Sequence, residues 1–466
     1  MNSVKKPIHK NSRGAALIVS IIFILVFSAL AVAIAAISGT NVQIASNHHK
    51  INSALSSAYS GLEFLRCYFS AITIPGTVSP TDRLQAVTTS FQTELAHAGA
   101  SNIAVNYNST NQTLTIPPIT LDSQHNRTFS AFITQVAPDT LQADITGICG
   151  NTSRQIRVNF NFVQTGSDVF DFGVATKGAL IMDGQAEFEA VNMAIEASVY
   201  IEADEVVNDA LTMTGLSSIA GDVFIADPYS TYTIGDNASI NGAFGEAAGE
   251  NIFVDSGYVD FPTPNPGYFR PFATGVEIST GSDWSTSSVL NNAVIKAGTN
   301  PTFSGDVTIN GVLFIETPNI VKFSGKSIIN GLIIGDGSID DESGGSSISF
   351  SGQVQGNNVS TLEGAEFEAI KNETGTFIMA PGFNVNFAGQ TNYDSGVIVA
   401  SGLTFSGQAG GTINGTIINY SQQQPMVLSG QNTLLFNRSG TTTNPAGFVA
   451  NQGIEFVPSS YSEPII

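Results

Sequence analysis

A few groups of residues in this 466-residue chain have types and spacing that could do chemistry. The stretch "GDGSIDDESGG" at 335–345 gathers Asp336, Asp340, Asp341 and Glu342, hard oxygen donors of the kind Ca²⁺ takes. Their spacing is not that of an EF-hand loop, and a solvated acidic loop is the simpler reading. The pentapeptide "AEFEA" occurs at 186–190 and again at 365–369. Glu187 with Glu189, or Glu366 with Glu368, offers the paired carboxylates of glycoside hydrolysis. In a strand, alternation sends both glutamates outward and Phe188 or Phe367 inward, which reads as decoration of a repeat. All five histidines (His9, His48, His49, His97, His125) precede residue 170, so the later region has no imidazole for acid–base work. Its cations, Lys177, Arg270, Lys296, Lys322, Lys326, Lys371 and Arg438, are scattered, and none stands in a carboxylate cluster as a lyase base would. There is no nucleotide loop, nucleophile elbow or HExxH. The expectation is a protein without catalysis, cofactor or firm metal site. Cys67 and Cys149 form no CxxC pair, which excludes a zinc or thioredoxin-like reading. In an exported chain they are a candidate disulfide, although spacing does not fix geometry.

Composition narrows the class. Charged residues are 12%, hydrophobic residues 42%, and glycine is abundant at 46. Low charge with many small polar residues suits a secreted, β-rich protein. The formal net charge of −21 is uneven. Residues 1–62 hold Lys5, Lys6, Lys10, Arg13 and Lys50, and the first acid is Glu63. A chain so acidic beyond its N-terminus is not built for nucleic acid. Solubility of an exported domain explains the acidity most simply, with calcium or a cationic partner as the alternative.

The elements follow from periodicity. From Ala15 to Ile37 only Ser20 and Ser28 interrupt an apolar run, long enough to cross a bilayer and too long for a secretory h-region. Basic residues precede it, which keeps the N-terminus cytoplasmic. An apolar stripe continues at Ile44, Ile51, Leu55, Ala58, Leu62, Leu65 and Phe69, in helical steps. The prediction is one helix over 15–70, ended by "AITIPG". Between 71 and 165, "DRLQAVTTSFQTELAHA" has helical spacing. "QTLTIP", "FSAFITQV", "LQADITGIC" and "RQIRVNFNF" alternate as half-buried strands do. A bridge from Cys67 near the helix end to Cys149 on a hairpin would tie this head to its stalk.

The leader "NSRG" and the run "AALIVSIIFILV", followed by "NVQIASNHHKINSALSSAYSGLE" at 41–63, resemble type IV pilins and type II secretion pseudopilins, and the PilX-type minor pilins in particular. "ADITGICGNTSRQIRVNF" is similar to the closing hairpin of such heads. The resemblance covers about residues 10–70. It implies cleavage between Gly14 and Ala15 by a prepilin peptidase, a strand-rich head, and partners among other pilin-like subunits through the helix. Major pilins carry a glutamate at the fifth mature position, where this chain has Val19. That departure fits a minor or tip-like subunit; the alternative is a plain signal anchor.

Beyond residue 170 the texture changes. "FSG" recurs at 303–305, 323–325, 350–352 and 405–407, and "ING" at 240–242, 309–311, 329–331 and 413–415. Periods near 20 with glycine corners predict a parallel β-helix, a solenoid. Phe303, Phe323, Phe350, Phe387 and Phe405 would stack inside it. Asn310, Asn330 and Asn414 would share a corner, their amides laddered. Antiparallel hairpins are the alternative, since Asn-Gly favours two-residue turns. The segment 256–290, rich in proline and aromatics, breaks the pattern as an excursion that packs on the wall or presents a binding loop.

The expected organisation is therefore a mostly β chain: basic leader 1–14, helix 15–70, small α+β head 71–165 and β-helix 170–466. The expected role is a non-enzymatic, pilin-like envelope protein. It would be held in the bacterial inner membrane by residues 15–37, with its C-terminal region periplasmic or extracellular and a glycan, surface or cargo as ligand. A signal-anchored β-helix adhesin, a polysaccharide-active protein and a self-polymerising solenoid are the competing readings.

Overall fold

A computed structural model describes residues 13–76, 78–203, 209–282, 284–341, 344–439 and 444–464. The chain is mostly strand, with one long N-terminal helix. It divides into two compact units. The first takes in residues up to Ile72, Ser79–Val163 and Gly453 onward; the second takes Thr73–Val78 and Gln164–Gln452.

In the first unit, helix α1 runs unbroken over Arg13–Ala71. Only its last third is covered. Ala54, Ser57, Ala58, Leu62, Leu65 and Phe69 are buried, whereas Ile44, which continues the same stripe, is exposed. Steps of three and four keep the buried side chains on one face. That face lies on an antiparallel sheet of strands Thr113–Asp122, Arg127–Ala137, Thr140–Cys149 and Thr152–Thr165. Strand Thr140–Cys149 alternates half-buried and buried along its whole length. Helix α2 (Arg83–His97) contributes Leu84, Val87, Phe91 and Leu95 to the same core. The closest approach of helix to sheet is at Gly147. A Cβ there would collide with the Ala54 carbonyl and the Ala58 amide nitrogen, so the residue must lack one. A further strand of this sheet, Asn451–Ser462, comes from the far C-terminus and lies beside Thr152–Thr165. The repeat region therefore does not extend to 466 as expected.

The second unit is a stack of short strands paired in parallel. The "FSG" phenylalanines fall in register: Phe303 opposite Phe323, Phe323 opposite Phe350, Phe350 opposite Phe387, and Phe387 opposite Phe405. Their rings stack with centroids 4.9, 4.9, 5.2 and 4.9 Å apart. That spacing is close to the distance between neighbouring strands, so each tier contributes one ring. Trp284 lies over Phe303 at one end of the column. Asn310 donates to Asn291, Asn330 to Asn310 and Asn357 to Asn330, at 2.9, 2.9 and 2.7 Å. Asn414 belongs to a second run, donating to Asp394 at 2.8 Å and accepting from Asn437 at 3.0 Å. The "ING" copies are not all equivalent. Asn310-Gly311 lies within parallel strand Val307–Ile315, whereas Asn241-Gly242 turns an antiparallel hairpin with both φ values positive, 48° and 78°.

The order of tiers differs from the order of the chain. The stack is joined in its middle, where strand Met426–Phe436 pairs in parallel with strand Leu180–Ala190 over their full length. From there the chain steps one way through Leu211–Met213 to Tyr232–Ile234. The segment after Val254 then carries it to the opposite end, at Glu277–Ile278, and the tiers from Ser288 onward return to the junction. The proline-rich excursion is this crossing strap. Val259 and Phe261 pack on Tyr200, Val399, Ile418 and Tyr420. Phe269 and Ala273 pack on Val294, Phe314, Ile334 and Met379. These wall residues form one outward column, each opposite the next from Val294 through Phe314, Ile334, Met379, Val399, Ile418 and Ala175 to Tyr200. An apolar outer column needs a cover, and the strap supplies it.

Candidate functional site

The feature that stands apart from ordinary packing is the first half of α1. No charged residue lies between Arg13 and His48. Over Ala15–Ile37 a helix rises about 34 Å, enough for a hydrocarbon core of about 30 Å. Leu17, Ile18, Val19, Phe23, Leu25 and Phe27 are all more than 45% exposed, where a soluble protein would hide them. From Ala16 the helix is long and apolar enough to cross a membrane, and its most apolar stretch makes no buried contact. Three of its hydroxyls are satisfied internally. Ser20 donates to the Leu17 carbonyl at 2.8 Å, Ser28 to Ile24 at 2.6 Å and Thr40 to Ala36 at 3.0 Å. Gly14 and Ala15 sit in the first turn of the helix.

The other candidates fall into place around it. Cys67 and Cys149 are free thiols, the first exposed and the second buried. Gly147 meets α1 at Ala54 and Ala58, and Ile145 meets it at Gly61. Strand and helix therefore run in opposite senses, and Cys149 lies beyond the Ala54 end. Cys67 is thirteen residues further along α1, about 20 Å. The candidate disulfide is corrected on that ground: the sulfurs lie at opposite ends of one packing contact. Cys149 Sγ points to the His125 carbonyl instead, at 3.9 Å.

Of the acidic loop, Asp336 accepts from the Thr317 amide at 2.6 Å and hydroxyl at 2.9 Å, and the Asp340 backbone amide donates to the Ser338 hydroxyl at 3.2 Å. Asp341 donates its backbone amide to the Ser338 carbonyl. Glu342 lies outside the described residues. Among the described residues no three His, Cys, Asp or Glu side chains converge as metal ligands would. The two "AEFEA" copies take different structures. Glu187 and Glu189 flank inward Phe188 on a strand, and Glu187 accepts from Thr433 at 3.1 Å. The second copy is a 3₁₀ turn whose Phe367 packs on the outer cluster, and Glu368 pairs with Lys371 at 2.9 Å. The expected equivalence fails because the chain has already left the wall: the preceding strand ends at Asn357, and 365–369 lies in a run of short 3₁₀ turns after Gly364, at φ 123°. His125 is hydrogen-bonded to Asp122 at 2.6 Å on an exposed turn, and that contact holds the Asp122 carboxyl below its ordinary range.

Sequence reasoning missed a row of exposed glutamines. Gln353 donates to Gln390 at 3.4 Å, Gln390 to Gln408 at 2.8 Å, Gln408 to Gln431 at 3.5 Å and Gln431 to Gln185 at 2.9 Å. The signal was present in the glutamine that follows "FSG" or "FAG" at 353, 390 and 408 and "LSG" at 431. A groove of about 250 Å³ opens at one end of it, beside Gln353 and Gln390, lined also by Lys326, Val354, Gln355, Thr391 and Asn392.

No family model matches the chain, and no curated protein does. Among solved structures it is similar to the crystal structure of the competence-associated pilin ComZ from Thermus thermophilus. Identity is 12%, 89% of this chain and 97% of that chain are covered, and the TM-score is 0.22. That likeness is too slight to carry a fold or a role.

Proposed function

We propose that this chain is a non-enzymatic, pilin-like envelope protein, a minor component of a pilus or pseudopilus that displays a β-helix to the outside. The observation that carries the reading is the division of α1. One continuous helix leaves an uncharged apolar half bare and packs its last third under an antiparallel head. A signal to be discarded has no reason to continue without a break into the core of the protein it exports. The resemblance of residues 10–70 to PilX-type minor pilins agrees with that division. It gives Gly14–Ala15 as the cleavage point, and Val19 in place of glutamate sets the chain apart from major fibre subunits. The parallel tiers, the ring column and the amide runs support a β-helix for the second unit. Membrane and partner subunits both meet the bare helix. The N-terminus then faces the cytoplasm, and both units lie beyond the inner membrane, where contact with a surface, glycan or cargo is made.

The test is the mature N-terminus, read by mass and sequence from protein recovered from membranes. A start at Ala15, N-methylated, is the expected result. Retention of Met1, or cleavage after Ala35 or Ala36, would sink the pilin reading and leave a signal-anchored adhesin.

A further inference from the structure

We propose that the exposed glutamine row at 353, 390, 408, 431 and 185 is a binding surface for a neutral, hydroxyl-rich polysaccharide, entered at the groove beside Gln353 and Gln390. This deepens the reading of the chain as an outward-displayed envelope protein and rests on it.

All five side chains are exposed, and each amide is bonded to the next. As a stabilising device such a row does little. Water competes for exposed hydrogen bonds, and a long, flexible side chain loses rotamer freedom when it is fixed. What the row does achieve is order. An amide has two N–H donors and two acceptor lone pairs. A ladder bond consumes one of each, so every interior glutamine keeps one donor and one acceptor to offer outward. These pairs repeat once per tier, along a line and already held in place. Ordering paid in advance by the fold is ordering that a ligand need not supply.

The surroundings choose the ligand. From Gln353 to Gln185 the row itself carries no charge. Gln355, Asn392 and Thr391 line the groove at the Gln353–Gln390 end, where Lys326 stands, and Asp183 and Glu187 flank Gln185 at the other end. Neutral donor–acceptor pairs at regular spacing match sugar hydroxyls, which both donate and accept. An acidic polysaccharide would meet a chain of net charge −21 with one lysine to receive it.

The experiment uses the full chain in detergent and affinity electrophoresis through gels containing dextran, amylose, laminarin or mannan, with alginate and polygalacturonate as acidic counterparts. Retardation by at least one neutral polymer is expected, insensitive to salt between low and high ionic strength. The Q390A/Q408A double variant should lose at least tenfold in affinity at an unchanged melting midpoint. Gln390→Glu, which keeps the size but removes the donors to Gln408, should lose it as well. No retardation by any neutral polymer, preference for the acidic ones, or equal retardation of the variants overturns the proposal. The two readings fail separately. Binding with Met1 retained would sink the pilin assignment and leave the groove; an Ala15 start without binding would do the reverse.

Discussion

Asp394 interrupts what is otherwise a column of asparagines. The register that sets Gly356 opposite Tyr393 brings Asn357 beside Asp394. Above it, every amide donates to the oxygen of the neighbouring tier, from Asn357 to Asn330 to Asn310 to Asn291. Below it, Asn437 donates to Asn414 and Asn414 to Asp394. A carboxylate has no proton to pass on, so the two runs stay separate. Asp394→Asn supplies the missing donor. It should raise the melting midpoint slightly, with a gain of at most about 0.5 kcal/mol, because water competes for a hydrogen bond at this exposed position. A midpoint that stays put or falls in thermal denaturation would show that the two tiers are too far apart to bond. The phenylalanines and Asn310, Asn330 and Asn414 were legible in the sequence because each stands at a fixed distance before a glycine. The interruption was not, because Asp394 lies in "TNYDSG", which has neither the Phe of "FSG" nor the Asn-Gly of "ING".

At the scale of elements, the junction between Leu180–Ala190 and Met426–Phe436 holds the stack together. Met182 and Phe188 on one side, and Leu428, Leu434 and Phe436 on the other, all belong to the inner core. Removing the second strand opens an edge and uncovers that core in the middle of the stack. Deletion of 424–436 should therefore abolish amide hydrogen-exchange protection at 180–190, although the two strands are far apart in sequence. Persistent protection there would mean that the tiers below stand by themselves. Helices and single strands could be read from the sequence, since periodicity is local. Which strand neighbours which could not. A parallel strand buried on both faces is a short apolar run, and "MVLSG" fits "LIMDG" no better than it fits several others. The strap was visible only as a break in pattern, since proline says where a strand cannot be and not where the chain goes. The second "AEFEA" shows the same limit, as identical letters folded differently after Gly364.

For the molecule as a whole, the bare half of α1 contributes nothing to the folded units. Residues 16–50 are exposed throughout. A variant beginning at Asn47 should dissolve without detergent and keep the thermal midpoint of the full chain. A clearly lower midpoint would show that the apolar half is part of the fold and not an appendage to it. The junction in the stack also sets a clock. Gln185 meets Gln431 across 246 residues. At a synthesis rate of about 5–20 residues per second, the first tiers wait roughly 12–50 s for the strand that covers them. Throughout that interval the unfinished chain presents an open strand edge and an uncovered core. A half-wound chain is therefore open to edge pairing with a neighbour until residues 426–436 arrive.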